Sequence, residues 1–240
     1  MKTIGLIGGV SWHSTVEYYS HLNRMVSERL NGHSAKCLIA SLDFGEVVAN
    51  NAADDQEANF RLIDAAAQTL RDAGAQCLLI CANTMNMFTD RVSAATGLPV
   101  IHIATAAGEA AKRLGFSTVG LLGTKYVMEM DFYRTRLEAC GLTVLTPNQE
   151  ERDYIHRNIY DELTNGRFTD EAKQKYLAII VGLVGRGAEG IVLGCTEIPI
   201  LLRDVESTVP LLDTTMLHAQ AAVDFMLGEQ EGTSKQRKRF

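Results

Sequence analysis

Short, continuously apolar runs alternate along this chain with longer amphipathic stretches, and glycine marks most of the junctions. The runs Thr3-Ile4-Gly5-Leu6-Ile7, Cys37-Leu38-Ile39-Ala40-Ser41-Leu42, Cys77-Leu78-Leu79-Ile80, Leu98-Pro99-Val100-Ile101-His102-Ile103, Thr118-Val119-Gly120-Leu121-Leu122 and Ile191-Val192-Leu193 lack the in-out alternation of a half-buried strand. Unbroken apolarity over so short a length is the mark of a parallel strand covered on both faces. Residues 57–73 show the other period, with Phe60, Ile63, Leu70 and the alanines on one side and Arg61, Asp64 and Arg71 on the other, as in an amphipathic helix. Further helices are expected from about Ser14, with Ser14 or Thr15 as cap and Glu17 in the first turn, from about Thr84, and over residues 105–114. Residues 43–55, rich in Asp and Asn, read as a polar loop. Strands and helices alternating in this way predict an α/β fold with parallel sheets and right-handed crossovers.

The pattern runs twice. Thr3-Ile4-Gly5-Leu6-Ile7-Gly8 returns 115 residues later as Thr118-Val119-Gly120-Leu121-Leu122-Gly123. Gly74-Ala75-Gln76 returns after 113 as Gly187-Ala188-Glu189, and Leu98-Pro99-Val100 after 111 as Val209-Pro210-Leu211. Three landmarks in one order imply that a single α/β half was duplicated. Two similar parallel-sheet domains related by a pseudo-twofold axis should then face each other across a cleft. The expected division is residues 1–104 with 211–227 as the first domain, closed by the C-terminal helix, 105–210 as the second, and 228–240 as a polar tail.

In such sheets ligands gather beyond the carboxyl ends of the strands. Gly8-Gly9-Val10-Ser11, Ala82-Asn83-Thr84, Gly123-Thr124 and Gly194-Cys195-Thr196 should therefore converge on one place. Glycine admits a ligand close to the backbone, hydroxyl and amide groups supply neutral donors, and helix N-termini behind them favour a carboxylate. The offset of 113 pairs Cys195 with Ala82, so one half offers a thiol where the other offers a methyl group.

Composition narrows the classes. A chain of 240 residues, 46% hydrophobic and 22% charged, can bury a sizeable core. Its net charge of −6 argues against a nucleic-acid surface. No apolar run approaches the roughly 20 residues of a membrane span. The opening residues have too short an apolar part for a signal peptide and are read as the first strand. Five cysteines, an odd number lying mostly in or beside apolar runs, suggest free thiols and a cytoplasmic setting. Cys77 and Cys81 share a strand face without a second pair of ligands, so no metal is expected. Gly5-x-x-Gly8-Gly9 has neither dinucleotide spacing nor the lysine of a phosphate loop. The basic run Lys235-Gln236-Arg237-Lys238-Arg239 reads as a solvated tail.

Several segments together carry a family likeness: Gly8-Gly9-Val10-Ser11-Trp12, Asp43-Phe44, Asn83-Thr84-Met85, Leu121-Leu122-Gly123-Thr124, Met128-Glu129-x-Asp131-Phe132-Tyr133, Gly194-Cys195-Thr196-Glu197-Ile198 and Asp213-Thr214-x-x-x-His218-Ala219. Through them the chain resembles the aspartate/glutamate racemase superfamily, most nearly its aspartate-racemase branch, to about residue 227. The resemblance implies an isomerase: a homodimeric, cofactor-independent amino-acid racemase of two α/β domains. Two cysteines flank the substrate's α-carbon; one thiolate removes the proton and the opposite thiol returns one to the other face. A thiol at a helix N-terminus can have its pKa brought near neutral for this work. Cys195 matches the second family cysteine, and Asn83, Thr84 and Thr196 match residues that hold the α-carboxylate and ammonium. Thr124 joins them, and Val10, Ser11, Asn51 and Glu197 complete the expected site, with Glu197 capping its helix or orienting a proton-transfer group.

Departures from the family pattern bear on function. Ala82 stands where the first cysteine is usual and cannot carry a proton, while Cys81 should turn to the opposite strand face. Asn86 and Thr105 stand where histidine and aspartate are frequent, and the loop after Asp43-Phe44 offers Asn50 and Asn51 but no arginine for a second substrate carboxylate. His102 reads as a core histidine, His13 as either surface or site, and Asp213 with His218 as a hydrogen-bonded pair behind the site. The leading function is a racemase limited by Ala82, acting on a small amino acid. A single-cysteine malonate-type decarboxylase and a catalytically degenerate small-carboxylate binder are the alternatives. None calls for a nucleic acid or membrane partner.

Overall fold

The computed structural model describes residues 1–228, so the tail expected over 228–240 lies, apart from Gly228, outside the described residues. The first half runs β1 (Ile4–Gly8), α1 (Trp12–Arg29), β2 (Cys37–Ser41), α2 (Phe44–Ala52), α3 (Gln56–Asp72), β3 (Cys77–Ile80), a 3₁₀ turn (Thr84–Phe88), α4 (Thr89–Thr96) and β4 (Val100–Ile101). The second half begins with α5 (Ile103–Arg113), β5 (Thr118–Gly123), α6 (Lys125–Glu129), α7 (Asp131–Ala139), β6 (Thr143–Leu145) and α8 (Gln149–Asp161). It continues with a 3₁₀ turn (Leu163–Asn165), α9 (Asp170–Gly185), β7 (Gly190–Gly194), α10 (Ile198–Leu201), β8 (Leu211–Asp213) and α11 (Thr214–Leu227). No described helix is long and apolar enough to cross a membrane.

Two four-stranded, all-parallel sheets result, ordered β2-β1-β3-β4 and β6-β5-β7-β8. The shared order is the duplication read from the sequence, and it extends to single hydrogen bonds. Leu78 N donates to Pro99 O at 3.0 Å, as Ile191 N does to Pro210 O at 3.0 Å. Gln76 N meets Thr3 O at 2.9 Å, as Glu189 N meets Thr118 O at 2.9 Å. Gly5 and Gly120 have the same task in each half. An added Cβ would lie 2.7 Å from Leu78 and 3.2 Å from Leu70 of α3 at the first, and 2.6 Å from Ile191 and 3.0 Å from Leu183 of α9 at the second. Bare backbone is what lets each crossover helix sit down on its sheet.

Each sheet is covered on both faces, which is why its strands are apolar throughout. Ile7, Ile63, Ala67, Leu78 and Ile80 pack under α2, α3 and α4, while Ile4, Leu6, Tyr18, Leu22 and Leu79 pack under α1 and α11. In the second half Leu193, Ile155, Ile180 and Leu183 fill one face and Val119, Leu121, Ala107 and Leu137 the other. Strand β8 pairs with β7, so residues 211–213 lie in the second sheet, and the return to the first comes only with α11. Adjacent residues Cys81 and Ala82 fall into different clusters, on opposite sides of the first sheet, as strand alternation requires.

Three local expectations are corrected. Residues 43–55 are not a loop: Asp43 Oδ1 accepts from Gly45 N at 2.9 Å and caps α2, whose Val47 is buried. Helix α1 starts at Trp12 with Ser11 at its cap position, because Ser14 and Thr15 are both engaged elsewhere. The strand expected through Ile103 stops at Ile101. There His102 turns out of the sheet, and its Nδ1 accepts from Ala104 N at 3.1 Å to cap α5. His102 is buried, as a core histidine should be, but as a helix cap rather than a strand residue.

Candidate active site

The carboxyl ends of β1, β3, β5 and β7 open on one cavity of about 70 Å³. The floor comes from the residues that follow these strands, and the walls come from helices. Val10, Ser11, Ala82, Asn83, Thr84, Thr124, Cys195, Thr196 and Glu197 all line the floor, and Asn51 lines the wall. All ten positions expected from the sequence are thus brought together. His13 and His102 are not among the lining residues: His13 is exposed and stacks on Trp12 with ring centroids 3.6 Å apart.

The cysteine end is a small hydrogen-bonded network. Cys195 Sγ donates to Glu197 Oε2 at 3.0 Å, and Thr196 Oγ1 donates to the same oxygen at 2.7 Å. Thr196 has spent its one proton on Glu197, so Ser14, whose Oγ lies 2.7 Å from Thr196 Oγ1, is the donor in that contact. Burial raises the Cys195 thiol well above its ordinary range, and the negative charge and hydrogen bond of Glu197 add to the rise. The helix N-terminus does not bring this thiol toward neutral pH as expected. Helix α10 is only four residues long, and a carboxylate stands at its cap position. At rest Cys195 is therefore a protonated thiol.

The other end of the floor is built around Asn83. Tyr133 OH donates to Asn83 Oδ1 at 2.8 Å, which fixes the amide orientation, while the Thr214 hydroxyl, 3.2 Å from the same oxygen, gives its one proton to Leu193 O at 2.8 Å. The Asn83 Nδ2 group is buried with no partner, and so is Ser11 Oγ. Buried donors left over in this way are what a bound carboxylate would satisfy. Ser11 also holds φ at 64°, a left-handed conformation uncommon for a residue with a side chain. Thr84 Oγ1 and Thr124 Oγ1 meet at 3.0 Å, joining the two halves across the floor.

Other polar residues are committed to architecture. Asn86 Nδ2 donates to Ile80 O at 3.0 Å and Ala82 O at 2.9 Å, and its Oδ1 accepts from Ile103 N at 3.0 Å. It locks the turn after β3 and is not among the cavity's lining residues. Asp213 and His218 do not pair. Asp213 caps α11 through Thr215 N and Met216 N, while His218 binds Tyr18 OH at 2.7 Å and Ile101 O at 2.8 Å. Because Ile101 O can only accept, His218 carries its proton on Nε2 and accepts from Tyr18 at Nδ1.

Sequence reasoning reached the walls only at Asn51. Phe44 and Val47 share its face of α2, and Ile159, Tyr160 and Thr164 come from α8 and the turn after it. The spacing of 44, 47 and 51 was a legible helical signal, hidden under a loop-like composition. Ser14 and Tyr133 carried no such signal, since both act through contacts between distant parts of the chain.

Likeness to known proteins agrees with this arrangement. Residues 7–222 match the Asp/Glu/hydantoin racemase family. The crystal structure of a candidate Asp/Glu racemase from Yersinia pestis is 43% identical, with a TM-score of 0.88 over 95% of this chain and 100% of that one. An aspartate racemase homologue from Pyrococcus horikoshii is 31% identical, with a TM-score of 0.80 over 95% of this chain and 100% of that one. The glutamate racemase of Aquifex aeolicus is 22% identical over 172 residues, which span 70% of this chain and 65% of that protein, just under two thirds of its length. With the duplicated sheets and the thiol-bearing cavity between them, these matches place the chain in the Asp/Glu/hydantoin racemase family.

Proposed function

We propose that this protein is a cofactor-independent amino-acid racemase in which Cys195 alone moves the α-proton, so that its action is one-sided. The observation that carries the reading is a single buried thiol, hydrogen-bonded to Glu197, sharing its cavity with the methyl group of Ala82. In this reading the substrate carboxylate meets Asn83 Nδ2 and Ser11 Oγ, and the ammonium group lies near Glu197 and Thr196. Glu197 takes the thiol proton, and the resulting thiolate removes the α-proton, which leaves the carbanion's charge spread into the carboxylate. Donors already aimed at that carboxylate stabilise the charge as it develops. Return of the proton from Cys195 regenerates the original enantiomer. Inversion needs a proton on the other face, where Ala82 has none, so water must supply it slowly.

The cavity then lies between the two expected domains, residues 1–104 with 211–227 and residues 105–210, except that β8 goes with the second sheet. Homodimeric assembly and a cytoplasmic setting belong to the same proposal, and sedimentation checks the former. Ala82 also favours a second reading, the decarboxylation of a malonate-type acid. There carbon dioxide leaves and Cys195 protonates the enolate, so one proton donor suffices.

The deciding experiment follows α-hydrogen exchange in D₂O over a panel of L- and D-amino acids, with Cys195→Ser as control. The racemase reading expects exchange that disappears in the variant. Absence of exchange from every amino acid, or full turnover by Cys195→Ser, overturns it. Carbon dioxide release from substituted malonates would support the second reading instead.

A further inference from the structure

We infer that the substrate's side chain is uncharged. The inference rests on the racemase reading of this cavity and concerns its walls. Those walls are equivalent elements of the two halves: α2 follows edge strand β2, and α8 follows edge strand β6. They contribute Phe44 and Val47 from one side and Ile159 and Tyr160 from the other. Their remaining polar groups are neutral. Asn51 Oδ1 accepts from the fully buried Asn59 at 2.8 Å, which leaves Asn51 Nδ2 as the group able to donate toward a ligand. Thr164 adds a hydroxyl.

Among the described residues, no lysine, arginine or histidine lines the cavity, and its one charged side chain, Glu197, is negative. The floor supplies unpartnered donors sufficient for one carboxylate, at Asn83 and Ser11. A second carboxylate would be stripped of water against aliphatic and aromatic walls, without a cation and within the field of Glu197. An aliphatic, hydroxyl or amide side chain meets no such penalty. Its apolar part contacts Phe44, Val47 and Ile159, and its polar tip can pair with Asn51 or Thr164.

The test compares matched pairs, asparagine with aspartate and glutamine with glutamate, with norvaline as an aliphatic reference. Two readouts are taken on the whole chain: kcat/KM for α-hydrogen exchange and affinity by titration calorimetry. Each neutral member should exceed its acidic partner by at least about tenfold in both. Equal or better performance by aspartate or glutamate overturns the inference and leaves the racemase reading standing. Should nothing exchange, calorimetry still decides: neutral over acidic binding supports the uncharged side chain while the racemase reading fails, and no binding by any member overturns both. Asn51→Arg supplies the missing cation and should raise aspartate affinity by about tenfold or more. An unchanged aspartate affinity in that variant contradicts the account.

Discussion

The thiol of Cys195 donates to the carboxylate of Glu197 across 3.0 Å, so the chain's candidate proton carrier and a candidate acceptor for its proton form one unit. Burial, then the charge of Glu197, holds the thiol protonated. Glu197→Gln keeps an oxygen able to accept but removes the charge, so the Cys195 pKa should fall. Alkylation of Cys195 by iodoacetamide at fixed pH should then accelerate, while exchange turnover drops by about 10²–10⁴-fold for want of a proton acceptor. An unchanged alkylation rate would mean that Glu197 does not govern the thiol. The same shift bears on stability. The folded-state pKa lies above the ordinary thiol value of 9.0, so the contribution is complete below that pH and is lost as pH rises above it.

Two buried histidines set the acid limit. Burial lowers His218 from 6.5 to about 4 and His102 from 6.5 to about 3. Both are neutral in the folded protein and take up a proton on unfolding, so their contribution is present above pH 6.5 and is lost as pH falls toward those values. Below pH 6.5 and above pH 5 the unfolding free energy should drop with a slope approaching about 2.7 kcal/mol per pH unit from the pair. His218→Gln should halve that slope. Urea unfolding at stepped pH measures it, and a flat profile would contradict the buried neutral state.

Tyr133 touches the cavity only through Asn83, whose Oδ1 it holds at 2.8 Å. Tyr133→Phe removes that donor and lets the amide turn, because the Thr214 proton is committed to Leu193 O at 2.8 Å. The hydrogen bond is worth about 1 kcal/mol, which corresponds to a several-fold rise in KM with kcat little changed. A fall in kcat at constant KM would give Tyr133 a different role.

Gly9 combines two constraints that Gly74 separates. Its φ is +83° and an added Cβ would lie 2.1 Å from Leu42 O, whereas Gly74 at φ +96° has nothing within 4 Å. Gly74→Ala should therefore destabilise by about 1 kcal/mol from backbone strain alone. Gly9→Ala should cost clearly more and also disturb Ser11, since the backbone of Leu42 must move. Denaturant midpoints for the two variants check the order, and equal losses would contradict it.

The fold was legible in the sequence because its signals are local or repeated. Apolar runs marked buried strands, and the landmarks at Gly5 and Gly120, Gly74 and Gly187, and Pro99 and Pro210 recur as matched features of two sheets. The floor of the site was legible too, since strand ends in parallel sheets converge. Helix α2 was hidden because Asp43, a cap, and Asn50 and Asn51, in the last turns, give a helix the composition of a loop. Partners distant in the chain were out of reach. Ser14 looks like a cap until Thr196, 182 residues on, engages it, and His218 looks like a partner for Asp213 until Tyr18, 200 residues away, is seen beside it. The elevated thiol pKa also needed three dimensions, because burial decides it.

The most direct test of one-sided proton transfer is the ratio of α-deuterium incorporation to inversion, followed by NMR and chiral chromatography for this protein and for Ala82→Cys. Incorporation with retained configuration should outrun inversion in the protein with Ala82, and the added thiol should bring the two rates together. Inversion as fast as exchange with Ala82 in place, or a ratio unmoved by Ala82→Cys, would contradict it.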